Sequence, residues 1–224
     1  MALLVSAGLF TRSMANLARQ DLGFEVERLV TFGVSPERNG YAPARSRALY
    51  AQIERELAAV PGVTAVAAAR VPVLAGENWG GDVSVEGFRR APGVNTDARL
   101  NRVGPGYFRA LGLPLLAGRE FTEADGAGAP KVAVVNEAFA RKFGLGRAAV
   151  GRRMAEGGDG PLDVEIVGVV RDAKYNQVRE AAPPQFFTPA RQDTAAGAMT
   201  FYARTALRAD DLVRRVPGLV KGID

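Results

Sequence analysis

Glu120, Glu123 and Asp125 lie within six positions of one another. Grouped carboxylates of this kind could exchange protons in general acid–base chemistry or hold a hard cation. The alternating Asp/Asn ligands of a calcium loop do not accompany them. A solvated turn with acids near a helix start is therefore the favoured reading, ahead of a metal- or carboxylate-dependent hydrolase. Thr122 followed by Asp125 resembles a capping box or an Asx-type turn. Asp159 and Asp163 stand beside glycines and read as loop. Lys142, Lys174 and Lys221 have no apolar run beside them to depress a pKa, so they read as surface lysines.

The 224-residue chain has no histidine and no cysteine. That removes thiol catalysis, the usual triad base, the common structural zinc sites and any disulfide framework. "GLGRAAVG" (Gly144–Gly151) has glycines, but at the wrong spacing for a dinucleotide loop, and it follows a helix instead of a strand. No phosphate-binding Walker sequence is present. No residue thus earns a catalytic, cofactor-binding or metal role. The net charge of +5 comes from 29 basic and 24 acidic residues. The basic residues are scattered, with pairs at Arg89-Arg90, Arg152-Arg153 and Arg214-Arg215, which argues against nucleic acid as a partner.

Two aromatic features remain. Tyr107 and Phe108, flanked by Leu111 and Leu113, read as core and not as a binding platform. Trp79, beside Asn78 in "AGENWGGD", sits in a glycine-rich loop with polar flanks. It is either an exposed tip for partner contact or a lid on a small core.

The elements that would position these residues follow from periodicity. Leu29–Ser35 reads as a strand, and Pro43 opens a helix whose face is Leu49, Tyr50, Ile53 and Leu57. Pro61-Gly62 ends that helix, and Val63–Val71 forms the next strand. Short strands follow at Asp82–Glu86 and Leu100–Val103. "GYFRALG" forms a short helix, and "LPLLAGREF" is extended. Lys131–Val135 is a buried strand, Asn136 caps the helix "EAFARKFG", and Gly144 stops it. Asp163–Arg171 is near-continuously apolar, as a strand covered on both faces should be. Another strand lies around Phe186-Phe187, and Met199–Thr205 alternates. The last helix starts near Asp210 and Asp211 and carries Leu212, Val216, Leu219 and Ile223 on one face. Pro217-Gly218 should kink or end it midway.

Ala2–Phe10 is apolar but about half the ~20 residues of a spanning helix. With Leu3, Ala7, Phe10, Met14 and Leu17 at helical spacing, it is either an ordinary amphipathic helix or the last turns of a membrane helix.

The order of segments resembles the MacB-like ABC transporter permeases, in particular the large permeases of soil bacteria that carry a MacB-type periplasmic core domain. Ala2–Pro36 is similar to the end of the first membrane helix and the strand after it. Tyr50–Gly76 ("YAQIERELAAVPGVTAVAAARVPVLAG") is similar to the first helix and its following strand. "VGPGYFRALGLPLLAGREFTEAD" (Val103–Asp125) resembles the family's most distinctive motif. "KVAVVNEAFARKF", "GRRM", "VEIVGVVRDAKY", "PPQFFTPARQ" and "MTFYARTALRADDLVRRV" follow in family order, so the resemblance spans the chain.

The resemblance implies an α+β fold with three parts. Residues 1–24 would be the end of a transmembrane helix and a stalk, with Leu3, Leu4, Val5, Leu9 and Phe10 embedded in the membrane. A porter-like α/β subdomain would come from both chain ends, 25–75 and 196–224. A mostly-β subdomain, 76–195, would be inserted between them. The resemblance further implies an inner-membrane protein with residues after about 20 in the periplasm, a non-catalytic role and no cofactor. Expected partners are the remaining membrane helices, an ATP-binding-cassette subunit, a second permease copy and a periplasmic adaptor or substrate. By that likeness the chain also stops short of the final porter strand. The competing reading is a stand-alone extracytoplasmic protein that binds a ligand in the cleft between its two subdomains.

Overall fold

The computed structural model describes residues 22–76, 79–174, 181–193, 195 and 197–223, with Arg147 described by its backbone only. The chain is a mixed α+β protein. Strand β1 (Leu29–Val34) leads to helix α1 (Pro43–Ala58) and strand β2 (Val63–Ala69). Proline at the first turn suits α1, because no N–H is needed there. Tyr50, Ile53 and Leu57 form its buried face, as their spacing predicts. Far along the chain, β10 (Met199–Thr205) and α4 (Ala209–Ile223) return to the same layer. β10 lies between β1 and β2 and is antiparallel to both.

Alternation gives this three-stranded layer two different faces. Phe201 and Ala203 of β10 pack with Val30, Ala68 and the apolar faces of α1 and α4. Tyr202, Ala65, Ala67 and Ala69 point the other way, into a second cluster.

Between the two chain ends run β3 (Gly80–Val85), β4 (Asp97–Val103), α2 (Tyr107–Leu111), β5 (Leu115–Gly118), β6 (Val132–Asn136), α3 (Glu137–Lys142), β7 (Arg153–Glu156), β8 (Val164–Val170) and β9 (Gln185–Pro189). Their pairings close on themselves: β4 with β3, β3 with β7, β7 with β8, β8 with β6, β6 with β9 and β9 with β4. All six strands send side chains into one cluster, among them Val83, Leu100, Ala133, Met154, Ile166 and Phe186. Phe139 and Phe143 of α3 complete that core. Closure removes sheet edges that would otherwise need covering. Asn136 caps α3 as its position predicts, accepting from the Phe139 N–H at 2.9 Å. The same side-chain oxygen accepts from the Gln185 N–H, and the amide donates to the Pro183 carbonyl, so one cap also ties β6 to β9.

The helix α2 lies in the cluster shared by the ring and the three-stranded layer. Tyr107 is 1% exposed and meets Tyr202 of β10 edge-on, with ring centroids 5.7 Å apart. It also lies 5.9 Å from the ring of Phe187 in β9. Phe108 meets Phe187 edge-on at 5.0 Å. Edge-to-face pairs of this kind add a directional term to simple burial. Gly112 ends the helix in the left-handed region (φ 66°), and Leu113 N–H donates back to Phe108 at 2.8 Å. Val132, Val134, Val167 and Val170 complete the shared core from β6 and β8.

One local expectation fails in part, and one strand was not foreseen. α4 does not end at Pro217 but runs from Ala209 to Ile223 with the proline inside. A proline in a helix interior forfeits one backbone bond and costs about 3 kcal/mol. Burial of Leu212 and Val216, with Val213, Leu219, Val220 and Ile223 packed beside them, outweighs that cost. Strand β7 has no clear sequence signal, because arginines and glycines surround it. Two buried residues, Met154 and Ala155, and pairing on both sides make it a strand.

Among the described residues no helix is long and apolar enough to cross a membrane. The expected membrane-embedded residues Leu3, Leu4, Val5, Leu9 and Phe10 lie outside the described residues.

Tyr107→Ala should lower unfolding stability by about 3–4 kcal/mol, the range for emptying a well-packed aromatic site. Leu162→Ala, at a 38% exposed position, should stay within about 0.5 kcal/mol. Urea melts of both variants measure the contrast.

Candidate functional site

Arginine and asparagine side chains, none of them conventional catalysts, organise the polar regions of the fold. Arg204, in β10, lies on the same strand face as Tyr202. Its Nε donates to the Ala110 carbonyl of α2 at 2.9 Å. Its Nη1 and Nη2 donate to the carbonyls of Glu27 and Glu25 at 3.0 and 2.8 Å. Nη1 also pairs with the Glu25 carboxylate at 3.1 Å. A planar guanidinium has five donors in a fixed fork, which suits it to hold several carbonyls at once. The lead-in segment, residues 22–28, is fixed further. Leu22 and Phe24 are buried in the shared cluster. Glu25 N–H donates to Leu111, Lys174 N–H to Leu22 and Thr205 N–H to Arg28, at 2.8, 2.8 and 3.0 Å.

The two segments that pass between the ring and the three-stranded layer are pinned as well. Asn101, fully buried, accepts from Val71 N–H at 3.0 Å and donates to the Val71 carbonyl at 2.9 Å. That imitates one rung of a strand ladder. Val73 N–H donates to the Tyr202 hydroxyl at 3.1 Å. Burial drives the Tyr202 pKa upward, so the hydroxyl stays neutral. On the return crossing, Tyr50 donates to the Gly197 carbonyl at 2.6 Å, and burial pushes its pKa up to about 12. Arg70 donates to the Ala195 carbonyl at 3.2 Å and lies 5.5 Å from the Trp79 ring centroid.

The carboxylates that could do chemistry are spread among structural roles. Asp125 accepts from both terminal nitrogens of Arg119 at 2.8 and 2.9 Å, and from the Thr122 N–H at 2.8 Å. This is the turn anticipated from Thr122 and Asp125. The Arg119 bonds, followed by those from Thr122, hold the Asp125 pKa below the ordinary range. Glu123 instead pairs with Arg191, which also reaches Glu54 of α1 at 3.1 Å. Burial raises the Glu54 pKa, and Arg191 offsets this only partly. Burial raises that of Glu120 too. Among the described residues no group of three metal-ligating side chains forms. The cluster read from sequence is therefore three separate carboxylates.

Lys142 differs from expectation, because burial does lower its pKa. Its Nζ donates to the Asn95 side chain and the Asp97 carbonyl at 3.1 and 2.6 Å, which holds a loop against the ring. Trp79 is 42% exposed, and the Arg70 guanidinium lies 5.5 Å from its ring centroid. Asn78 lies outside the described residues. Sequence reading missed Arg204, Arg70 and Asn101. Arg204 did leave a signal, since the alternation of β10 put a charge on the same face as Tyr202.

The family described as MacB-like periplasmic core domain matches residues 1–216. The periplasmic region of MacB from Actinobacillus actinomycetemcomitans has a similar structure, with a TM-score of 0.57 and 16% identity. That likeness covers 90% of this chain and 86% of the other. A domain of a protein described as a permease, from Porphyromonas gingivalis, gives a TM-score of 0.51 and 17% identity over 74% and 73% of the two chains. Among curated proteins, none matches the sequence.

Asp125→Asn should lower stability by about 1–2 kcal/mol at neutral pH, since hydrogen bonds to a charged group are lost while Arg119 stays half in water. The Asp125 pKa is depressed in the folded state, so its contribution is present above the unfolded value of about 3.9 and fades below it. Urea melts at pH 7 and pH 3 should therefore show a gap that narrows at pH 3.

Proposed function

The chain belongs to the MacB-like periplasmic core domain family, and on that premise we propose that it is the extracytoplasmic core of an ABC transporter permease. In this reading it is a non-catalytic body of the export or mechanotransmission type. Motion of membrane helices, driven by an ATP-binding-cassette subunit, reaches a periplasmic substrate or adaptor through it. The permease works as a pair of copies in the inner membrane, and residues after about 20 stand outside the cytoplasm. The chain divides into a porter-like part, 25–75 with 196–224, and an inserted part, 76–195.

The observation that carries this reading is the fixed lead-in segment. A domain that follows a membrane helix must not swivel about its own attachment, or the motion is lost. Here the attachment is tied to α2, to β10 and to the loop after β8 by backbone bonds, by Arg204 and by two buried apolar side chains. The role needs no reactive residue.

A second reading, ligand binding in a cleft, has one observation in its favour. A cavity of about 350 Å³ opens between α1 and residues around 123–127, 190–193 and Ala195.

The topology is tested by fusing alkaline phosphatase after residue 60 in the membrane-bound protein. Activity outside the cytoplasm is expected. A fusion that is inactive, while a cytoplasmic reporter at the same site is active, overturns the placement.

A further inference from the structure

The cleft beside α1 has a chemical character that names its ligand class. α1 supplies one wall through Tyr50, Ala51 and Glu54, and residues around 123–127, 190–193 and Ala195 supply the other. Apart from its charged groups the lining is mostly small, including Ala51, Ala68, Gly104, Gly126, Ala127 and Ala190. Small side chains on facing elements leave the room. They also present apolar surface to whatever fills it.

The charges are unequal. Four arginines line the cleft, Arg47, Arg70, Arg102 and Arg191, against three carboxylates, Glu54, Glu123 and Asp193. Arg191 is met by Glu54 and Glu123, and Arg102 by Asp193 and Glu156. Arg70 is different. Among the described residues its side chain has only neutral partners, the Ala195 carbonyl and the Trp79 ring. Its guanidinium also stands so close to Gly197 that any side chain there would collide with it. Arg70 is thus held in place by neutral contacts, with most of its five donors unused by them. A fixed guanidinium at an apolar cleft suits one class of molecule, an anionic head on an apolar body.

We propose that this cleft binds a small amphipathic organic anion, with the carboxylate, sulfonate or phosphate head on Arg70 and the apolar body between α1 and the 126–127 and 190 positions. The proposal deepens the cleft reading and does not depend on the membrane topology. The fusion experiment and the binding experiment therefore fail separately.

The test uses the fluorescent anion 8-anilinonaphthalene-1-sulfonate, and as its uncharged counterpart N-phenyl-1-naphthylamine, which lacks the sulfonate. Saturable fluorescence enhancement by the anion is expected, at least tenfold tighter than for the neutral compound. Arg70→Gln should weaken the anion at least tenfold and leave the neutral compound nearly unchanged. Ala51→Phe, which fills the cleft from the α1 side, should abolish binding of the anion. Ala127→Phe does the same from the opposite wall, should the first variant not fold. Val220→Glu, in the separate apolar groove between α4 and β1, should leave the affinity for the anion unchanged. Equal affinity for the two compounds, an unaltered Arg70→Gln titration, or loss of binding in Val220→Glu alone overturns the proposal.

Discussion

One guanidinium, that of Arg204, holds carbonyls from two segments about eighty residues apart in sequence. Glu25 and Glu27 belong to the lead-in segment, and Ala110 belongs to the short helix α2. Arg204 itself belongs to the central strand of the three-stranded layer. Its side chain is 17% exposed; the bond to Ala110 is partly buried, and those to Glu25 and Glu27 lie at the surface. One planar group thus supplies donors to three carbonyls at once. The arrangement depends on β10 lying between β1 and β2, which in turn depends on the chain returning after the whole ring has formed.

The shared apolar core makes this polar clamp effective. Tyr107 and Phe108 are packed between Tyr202 on one side and Phe187 on the other, so α2 cannot shift without disturbing both layers. Interiors packed at this density pass displacement on instead of absorbing it. The ring adds stiffness because each of its strands is paired on two sides. Asn101, Tyr202, Tyr50 and Arg70 then fix the two crossing segments, where a swivel would otherwise be cheapest. The outcome is a body in which many of the described polar side chains tie segments together, as the proposed transmission of force requires.

Much of this was legible in the chain. The face of α1, the cap at Asn136, the buried strand Val164–Val170 and the burial of Tyr107 and Phe108 all follow from local pattern, because local pattern determines them. β7 was not legible, because its strand state comes from neighbours on both sides and not from its own Arg-Met-Ala-Glu sequence. The helix does not end at Pro217 for a related reason. The helix penalty is local, whereas the burial that overcomes it involves α1 and β1. The candidate site was the least readable part. Arg204 and Asn101 act on residues more than twenty-five positions away, and no spacing rule links them. The three carboxylates looked like a group only in sequence; in space, Asp125 turned to Arg119 and Glu123 to Arg191.

The central claim is that the lead-in segment moves with the folded body as one unit. Native-state hydrogen exchange of the Glu25 amide, which donates to Leu111, measures this directly. The account predicts an opening free energy for Glu25 close to that of the β10 and β2 core amides, falling toward local fraying in Arg204→Ala. A Glu25 amide that exchanges at fraying rates in the unaltered protein, while β10 stays protected, contradicts it.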